Sequence, residues 1–282
     1  MSAILYLGPE GTHSHDAALR HFGNTQRLEP CLSHRDIFIR LRAGSKKRGG
    51  LQALVPVENS TEGPVTQTLD LLAAHPEISI IESFSLPVRH YLMTHNATRR
   101  VRDIKRVYSH PQALGQCSTC LDKFLPNAER IAEASTAAAA ARISTEPESA
   151  AIASAIAADL YNLKILKSDI QDSSANTTRF MVLSTKKNRI NLKSCETERI
   201  RSLMYVVLHN RPGALLHALA PFDAAGVNLT FIQSRPLPGR PWEYAFFIEA
   251  ATNWSDPAHV AAWQLITALA DSGRKIGTYI HE

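Results

Sequence analysis

The sequence predicts an α/β protein in two parts, and three observations carry that prediction. Through residues 1–183 one pattern recurs: a short apolar run, a turn of Gly, Ser, Thr or Asn, then a helix-like segment. A polar, charged stretch at 184–200, with no periodic apolar face, interrupts it and reads as a linker or edge hairpin. Beyond it, over 201–282, apolar runs and helical segments follow in the order βαββαβ, the plan of a ferredoxin-like module.

Taken in order, Ile4-Leu5-Tyr6-Leu7 reads as a strand that runs through Gly8-Pro9-Glu10-Gly11-Thr12-His13-Ser14 into a helix carrying Ala17, Ala18, Leu19 and Phe22. Leu51 to Val57 runs into Glu58-Asn59-Ser60-Thr61-Glu62-Gly63, and Pro64 suits the first turn of the next helix, where its missing N–H is not needed. Val107-Tyr108 leads through Ser109-His110-Pro111-Gln112 to a helix with Leu114, Cys117 and Leu121. Arg130 to Ala134 leads through Ser135-Thr136 to a polyalanine helix, and Ala150 to Ala153 through Ser154 to another. This succession of βα units implies a mostly parallel sheet covered by helices, with ligands held outside the carboxyl ends of its strands. Helix N-termini capped there by Ser, Thr or Asn would offer free N–H groups to a small polycarboxylate. In the second part, Leu203–Leu208, Val227–Ser234, Trp242–Glu249 and Lys275–Ile280 read as strands, and Gly213–Ala225 and Pro257–Ala270 as helices.

Composition narrows the class. With 44% hydrophobic and 20% charged residues the chain reads as an ordinary soluble globular protein. The apolar run Ala3 to Leu7 has no basic residue before it and no segment approaches the ~20 apolar residues of a membrane span, so a cytoplasmic protein without membrane contact is expected. Cys31, Cys117, Cys120 and Cys195 are too scattered for a disulfide framework, and Cys117-Ser-Thr-Cys120 has no second ligand pair, so reduced thiols and no metal are expected. The net charge of +5 rests on short basic stretches, Lys46-Lys47-Arg48 and Arg99-Arg100-Val101-Arg102, that lack interleaved aromatics and do not suggest nucleic acid.

One run stands out chemically. Ser173-Ser174-Ala175-Asn176-Thr177-Thr178-Arg179-Phe180 gathers hydroxyls, a carboxamide and a guanidinium at the start of the apolar Met181-Val182-Leu183. Taken alone it fits either an anion site or a turn whose hydroxyls satisfy their own backbone.

Four segments together resemble the successive motifs of the prephenate dehydratase family: Leu7-Gly8-Pro9-Glu10-Gly11-Thr12, Pro56 to Gly63, Ser109-His110-Pro111-Gln112-Ala113-Leu114 with Gln116-Cys117, and Asn176-Thr177-Thr178-Arg179-Phe180. Arg211-Pro212-Gly213-Ala214-Leu215-Leu216 and Gln233-Ser234-Arg235-Pro236 resemble the two phenylalanine-sensing motifs of the ACT domain that family carries. The resemblance implies a two-lobed catalytic domain like the type 2 periplasmic binding proteins over 1–183, with its active site between the lobes. It further implies a linker at 184–200, and over 201–282 an ACT domain that pairs subunits into a homodimer or homotetramer. The implied reaction takes prephenate to phenylpyruvate, water and carbon dioxide in phenylalanine biosynthesis, without cofactor or metal, under feedback by L-phenylalanine. Two residues depart from the pattern: His13, where the family usually has Phe, and Gln233, where it usually has Glu, which puts the strength of feedback in question. His13 is read as a partly exposed loop residue, and His15 and His110 as structural.

Within that resemblance, a threonine hydroxyl lies far from the near-neutral pKa of a general acid, so Thr178 is expected to donate a hydrogen bond to the departing hydroxyl. Asn59, Ser109 and Gln116 complete the expected catalytic set. Thr12, Ser14, Ser60, Thr61 and Thr177 are expected around the substrate's carboxylates and ring. Arg179 is either a bidentate carboxylate fork or a structural ion pair on the opposite face of its strand, and Phe180 is core or cleft wall. Asn210, Gly213, Ala214, Leu215, Leu216, Asn228, Gln233, Ser234 and Arg235 are the implied effector residues. Three alternatives stand beside it: an arogenate dehydratase, whose substrate differs by an amine; a non-catalytic amino-acid sensor, against which the complete Asn-x-Thr-Arg-Phe run argues; and a prephenate decarboxylase relative that skips dehydration, against which the intact Thr178 argues.

Overall fold

The computed structural model describes residues 3–44, 50–98, 100–186, 197–254 and 256–282. The basic run at 46–48, Arg99, Cys195 and most of the polar stretch at 184–200 lie outside them. The elements run β1 (Ala3–Leu7), α1 (His13–Phe22), β2 (Arg27–Cys31), α2 (His34–Ala43), β3 (Gln52–Asn59), β4 (Gly63–Pro64), α3 (Thr66–Ala74), β5 (Ser79–Pro87), β6 (Tyr91–His95), β7 (Arg106–Ser109), α4 (Pro111–Gln116) and α5 (Ser118–Phe124). They continue with β8 (Glu129–Ala132), α6 (Thr136–Ile143), β9 (Ser149–Ala153), α7 (Ala155–Leu160), β10 (Leu163–Lys167), β11 (Thr177–Ser184), β12 (Ile200–Leu208), α8 (Ala214–Ala224), β13 (Leu229–Leu237), β14 (Arg240–Ala250), α9 (Pro257–Leu269) and β15 (Ala270–His281). None of the described helices is long and apolar enough to cross a membrane.

Contacts divide the chain into two units: Met1–Ile37, Asn59–Gly63 and Leu86–Thr178 form the first, and Phe38–Glu58, Pro64–Ser85 and Arg179–Glu282 the second. The chain therefore changes unit five times, inside α2 after Ile37, inside β3 after Glu58, inside β4 after Gly63, inside β5 after Ser85 and inside β11 after Thr178.

In the first unit β1 pairs in parallel with β2, and a five-stranded sheet has the order β10-β6-β9-β7-β8. β7 runs parallel to β8 and β9, whereas β6 runs antiparallel to both β9 and β10. The sheet is thus mixed rather than mostly parallel. Its two antiparallel members, Tyr-Leu-Met-Thr-His and Leu-Lys-Ile-Leu-Lys, are short and lead into no helix, so the βα pattern passes over them. Both faces are covered, as a central strand requires. Val107 packs with Ala113, Cys117 and Leu121 on one face, while Tyr108 packs with Ala139, Ala140 and Ala157 on the other. Each large apolar side chain buried this way contributes about 1.5–3 kcal/mol relative to exposure.

Local chemistry sets the helix ends, with some departures from expectation. Thr12 Oγ1 accepts from the His15 N–H at 3.3 Å and Ser135 Oγ from the Ala138 N–H at 3.0 Å, both N-caps. At α4 the cap is His110, whose Nδ1 faces the Gln112 N–H, and not Ser109. Ser154 makes no cap bond and donates to the Gly11 carbonyl at 2.7 Å. Pro64 sits in β4, ahead of α3 rather than in its first turn, and Cys117 breaks the expected single helix into α4 and α5. Cys117 is fully buried, and burial pushes its thiol pKa well up, which suits an inert core residue.

In the second unit the strand order is β13-β14-β12-β15-β5-β11-β3. The βαββαβ order holds, with β12 antiparallel to β14 and β15, and β13 antiparallel to β14. One face buries Met204, Val206 and Ile248 in a cluster with Phe222 of α8, Ile266 of α9 and Trp254. The last strand begins at Ala270, directly after α9, and its end pairs in parallel with β5 through Ile280 and Glu82.

Candidate active site

Asn59, the last residue of β3, starts the arrangement. Its Oδ1 accepts from the backbone N–H of Thr61 and of Glu62, each at 3.0 Å, an Asx turn. A backbone N–H can only donate, so these two bonds fix which end of the amide is oxygen. The other end then donates: Asn59 Nδ2 lies 2.8 Å from Asn176 Oδ1 and 3.0 Å from Thr178 Oγ1. With its oxygen so engaged, Asn176 must donate in turn, and its Nδ2 lies 3.0 Å from Gln116 Oε1. The same oxygen lies 3.0 Å from His90 Nε2. Orientation thus passes from two backbone groups through three carboxamides to a histidine.

A second tie holds the segments together. Ser60 N–H donates to the Thr177 carbonyl at 2.9 Å, the Thr177 N–H donates to Ser60 Oγ at 2.9 Å, and Ser60 Oγ donates to the Ala175 carbonyl at 3.1 Å.

Two donors are left over. Thr178 Oγ1 is already an acceptor from Asn59, so its proton is available to an outside oxygen. Gln116 Nε2 is buried and has no partner among the described residues. Beside Gln116, with Thr178 outside its wall, lies a cavity of about 390 Å³ bounded by Thr61, Glu62, Gln112, Gly115, Gln116, Gln171, Asp172, Ser173 and Asn176, within the range of small-ligand sites. Asp172 on its wall is engaged by Ser118 Oγ at 3.1 Å and the Thr119 N–H at 3.2 Å.

Several expected site residues are placed elsewhere. Ser109 is wholly buried, and its hydroxyl donates to the Ile152 carbonyl at 2.6 Å. Thr12 is occupied as a cap and donates to the carbonyls of Leu7 and Pro9, and Ser14 is buried within α1. Ser60 serves the chain tie described above, whereas Thr61 reaches the cavity wall. Thr177 Oγ1 stays 3.5 Å from the Ala175 carbonyl.

Arg179 belongs to the second unit. Its guanidinium is bonded to Glu249 and lies 3.7 Å from Glu58, and Glu249 also accepts from Tyr279 and Thr230. Burial lowers the Arg179 pKa, and Glu249, Tyr279 and Glu58 more than reverse that, so the net shift is upward. The guanidinium is thus ion-paired with protein carboxylates, although its Nε is buried with no partner among the described residues, which fits the ion-pair reading. Phe180 is core, 3% exposed and stacked on Phe84 at 5.8 Å.

His13 is partly exposed as expected but opens α1 rather than lying in a loop, its Nε2 is buried with no partner among the described residues, and its ring meets that of His90 edge-on at 5.2 Å. Burial, with His90 and Arg20 beside it, pushes its pKa down to about 3. His15 stacks on Tyr6 at 4.9 Å and accepts from the Gly11 N–H at 3.0 Å, a structural role like that of His110. His90 carries little signal in the sequence, where it stands beside Arg89 ahead of the apolar Tyr91-Leu92-Met93.

Of the effector set, Asn210, Ala214 and Leu215 bound a cavity of about 170 Å³ with Trp242, Tyr244 and Phe246, and Gly213 precedes α8 at φ 78°. Leu216 is 70% exposed. Asn228 is exposed, Gln233 Nε2 donates to the Ser234 carbonyl, and Arg235 pairs with Asp70 at 2.6 Å. Those residues lie outside that cavity's wall.

Comparison with known proteins adds the family. The prephenate dehydratase profile matches residues 4–188 and the ACT domain profile residues 202–253. A bifunctional chorismate mutase/prephenate dehydratase from Stutzerimonas stutzeri is 38% identical over 98% of this chain and 72% of its own length. The crystal structure of an Arthrobacter aurescens prephenate dehydratase in complex with L-Phe is 32% identical, covers 99% of this chain and 90% of its own, and superposes with a TM-score of 0.87. A structure described as GqqA, a novel type of quorum quenching acylase, is 25% identical over 99% of this chain and 98% of its own, with a TM-score of 0.88. On the match over 4–188 and these relatives, the chain belongs to the prephenate dehydratase family.

Proposed function

We propose that this chain converts prephenate to phenylpyruvate in the cytoplasm, with Thr178, Asn59 and Gln116 as the acting residues, and that L-phenylalanine restrains it through the C-terminal module. Prephenate's ring carboxylate leaves as carbon dioxide, the electron pair of that bond enters the ring, and the C4 hydroxyl departs as water on gaining a proton. Aromatisation drives the step, so the protein has only to orient the ring and help the hydroxyl leave. The observation that carries this reading is the directed amide chain: Asn59 occupies Thr178 Oγ1 as an acceptor, which leaves the hydroxyl proton for an oxygen of the substrate. A donor aimed at developing charge is worth ~10²–10³ in rate. Gln116 Nε2, Thr61 and Thr177 would meet the remaining oxygens of the substrate. No step uses a metal or cofactor.

The catalytic domain is assigned to 1–183, the linker to 184–200 and the regulatory domain to 201–282. Exposed Leu216, Trp242 and Tyr244 near the 170 Å³ cavity support pairing of that module with a second copy, as a homodimer or homotetramer, with phenylalanine held close to Asn210 and Gly213. Incubation with prephenate, following phenylpyruvate by its absorbance in base, tests the reading. Product that grows with protein and falls on adding phenylalanine is expected. No product above the uncatalysed rate, with arogenate assayed in parallel and consumed instead, would replace prephenate as the substrate.

A further inference from the structure

We infer that His90 is a positioning residue for Gln116: by donating its Nε2 proton to Gln116 Oε1 it holds the carboxamide with its NH₂ group turned toward the substrate. The inference rests on Gln116 touching substrate, as proposed above, and adds a residue that none of the family motifs in this sequence contains.

The geometry makes the argument stepwise. Gln116 Oε1 receives two donors, Asn176 Nδ2 and His90 Nε2, both at 3.0 Å, which fills both of its lone pairs. A half-turn of the amide would set its NH₂ against the Asn176 NH₂ and the His90 N–H at once. With His90 absent only one of those two clashes remains, and the flipped amide becomes accessible. In the orientation observed, Gln116 Nε2 is buried and unpartnered, a state that costs free energy until an oxygen from outside meets it.

His90 is itself fixed for this task. It lies between β5 and β6 and is 2% exposed. Its N–H donates to Gln171 Oε1 at 3.0 Å and its carbonyl accepts from the Ile170 N–H at 3.0 Å. The His13 ring packs edge-on against its imidazole. Its Nδ1 is buried without a partner, so the tautomer that suits the site is the neutral one with the proton on Nε2. Burial, opposed by the Gln116 bond, lowers the His90 pKa and so favours that neutral form.

Steady-state kinetics on prephenate with His90→Phe, His90→Gln, His90→Asn, Gln116→Ala and the double variant His90→Phe/Gln116→Ala test this, with thermal melting run alongside. His90→Phe keeps a ring but no donor, and should lower kcat about tenfold, part of the ~10²–10³ that a lost donor costs, with KM little changed. His90→Gln offers an amide N–H at the reach of Nε2 and should recover most of kcat, whereas the shorter His90→Asn should not. In the Gln116→Ala background His90→Phe should cost nothing further. Wild-type kcat in His90→Phe, losses that multiply in full in the double variant, or equal activities of His90→Gln and His90→Asn would each overturn the inference; the last comparison decides if His90→Phe does not fold. Wild-type kcat in Gln116→Ala would instead remove the reading of Gln116 on which it rests.

Discussion

Thr178 and Arg179 are neighbours on β11, yet they end in opposite kinds of chemistry. Thr178 closes a chain of neutral amides and hydroxyls in which every bond has a direction and two donors remain unused. Arg179 enters a charged cluster with Glu249, Glu58, Tyr279 and Thr230, in which the guanidinium charge is paired although its Nε is left without a partner among the described residues. Alternation along a strand puts successive side chains on opposite faces, so one motif serves both purposes. The contrast shows one motif committing its guanidinium to protein carboxylates while its hydroxyl proton stays unclaimed. A buried guanidinium is costly unless paired at once, whereas a neutral amide can be left waiting for a ligand at lower cost.

The sharpest way to break the comparison is Arg179→Met. It leaves Glu249, 1% exposed, without its cation, and removing one partner of a buried pair costs about 3–5 kcal/mol. A fall in Tm on the order of 10 °C is expected, with KM for prephenate unchanged in protein that remains folded. A stable variant with a raised KM would return Arg179 to the substrate's carboxylate. Next in size, Thr178→Ala should lower kcat ~10²–10³-fold with little change in KM, because the lost bond acts mainly in the transition state. Thr178→Ser should retain more. Turnover near wild type in Thr178→Ala would move the donor to Thr177 or Gln116.

A smaller effect separates the buried hydroxyl from the exposed ones. Ser109→Ala removes a bond to the Ile152 carbonyl, and should cost about 1 kcal/mol of stability while leaving kcat near wild type. Loss of kcat at unchanged Tm would restore Ser109 to the catalytic set.

What the sequence made legible follows from how local each signal is. The βαββαβ module was readable because its strands and helices carry strong apolar periods bounded by turns, such as Asn210-Arg211-Pro212-Gly213 before α8. β6 and β10 were not, since antiparallel pairing of short strands depends on partners far along the chain. In the same way Asn59, Gln116 and Thr178 stood inside recognisable motifs, and the chain of bonds joining them spans over a hundred residues. His90 had no motif of its own; only the fold sets it against Gln116. Ser109 and Ser154 show the reverse case, hydroxyls at the right place in a βα turn whose bonds go to carbonyls of other strands and loops.

His13 offers the finest test of how the polar chain is kept neutral. Its pKa of about 3 lies below the usual 6.5, chiefly through burial and then through His90 and Arg20. A base with a depressed folded pKa binds fewer protons folded than unfolded across that interval, so stability rises with pH there. His13 therefore favours the folded state fully above pH 6.5 and withdraws that contribution as pH falls from about 6.5 toward about 3. His13→Phe keeps an aromatic edge against His90 and removes the proton site. At pH 8 the two proteins should melt within a few degrees of each other. Between pH 6.5 and 4 the variant should lose Tm less steeply than the wild type, because carboxylate protonation is common to both and only the His13 contribution differs. Melting curves at half-unit pH intervals measure that difference, and a gap between the two proteins that does not change with pH would mean that His13 is open to water and titrates as it does in the unfolded chain.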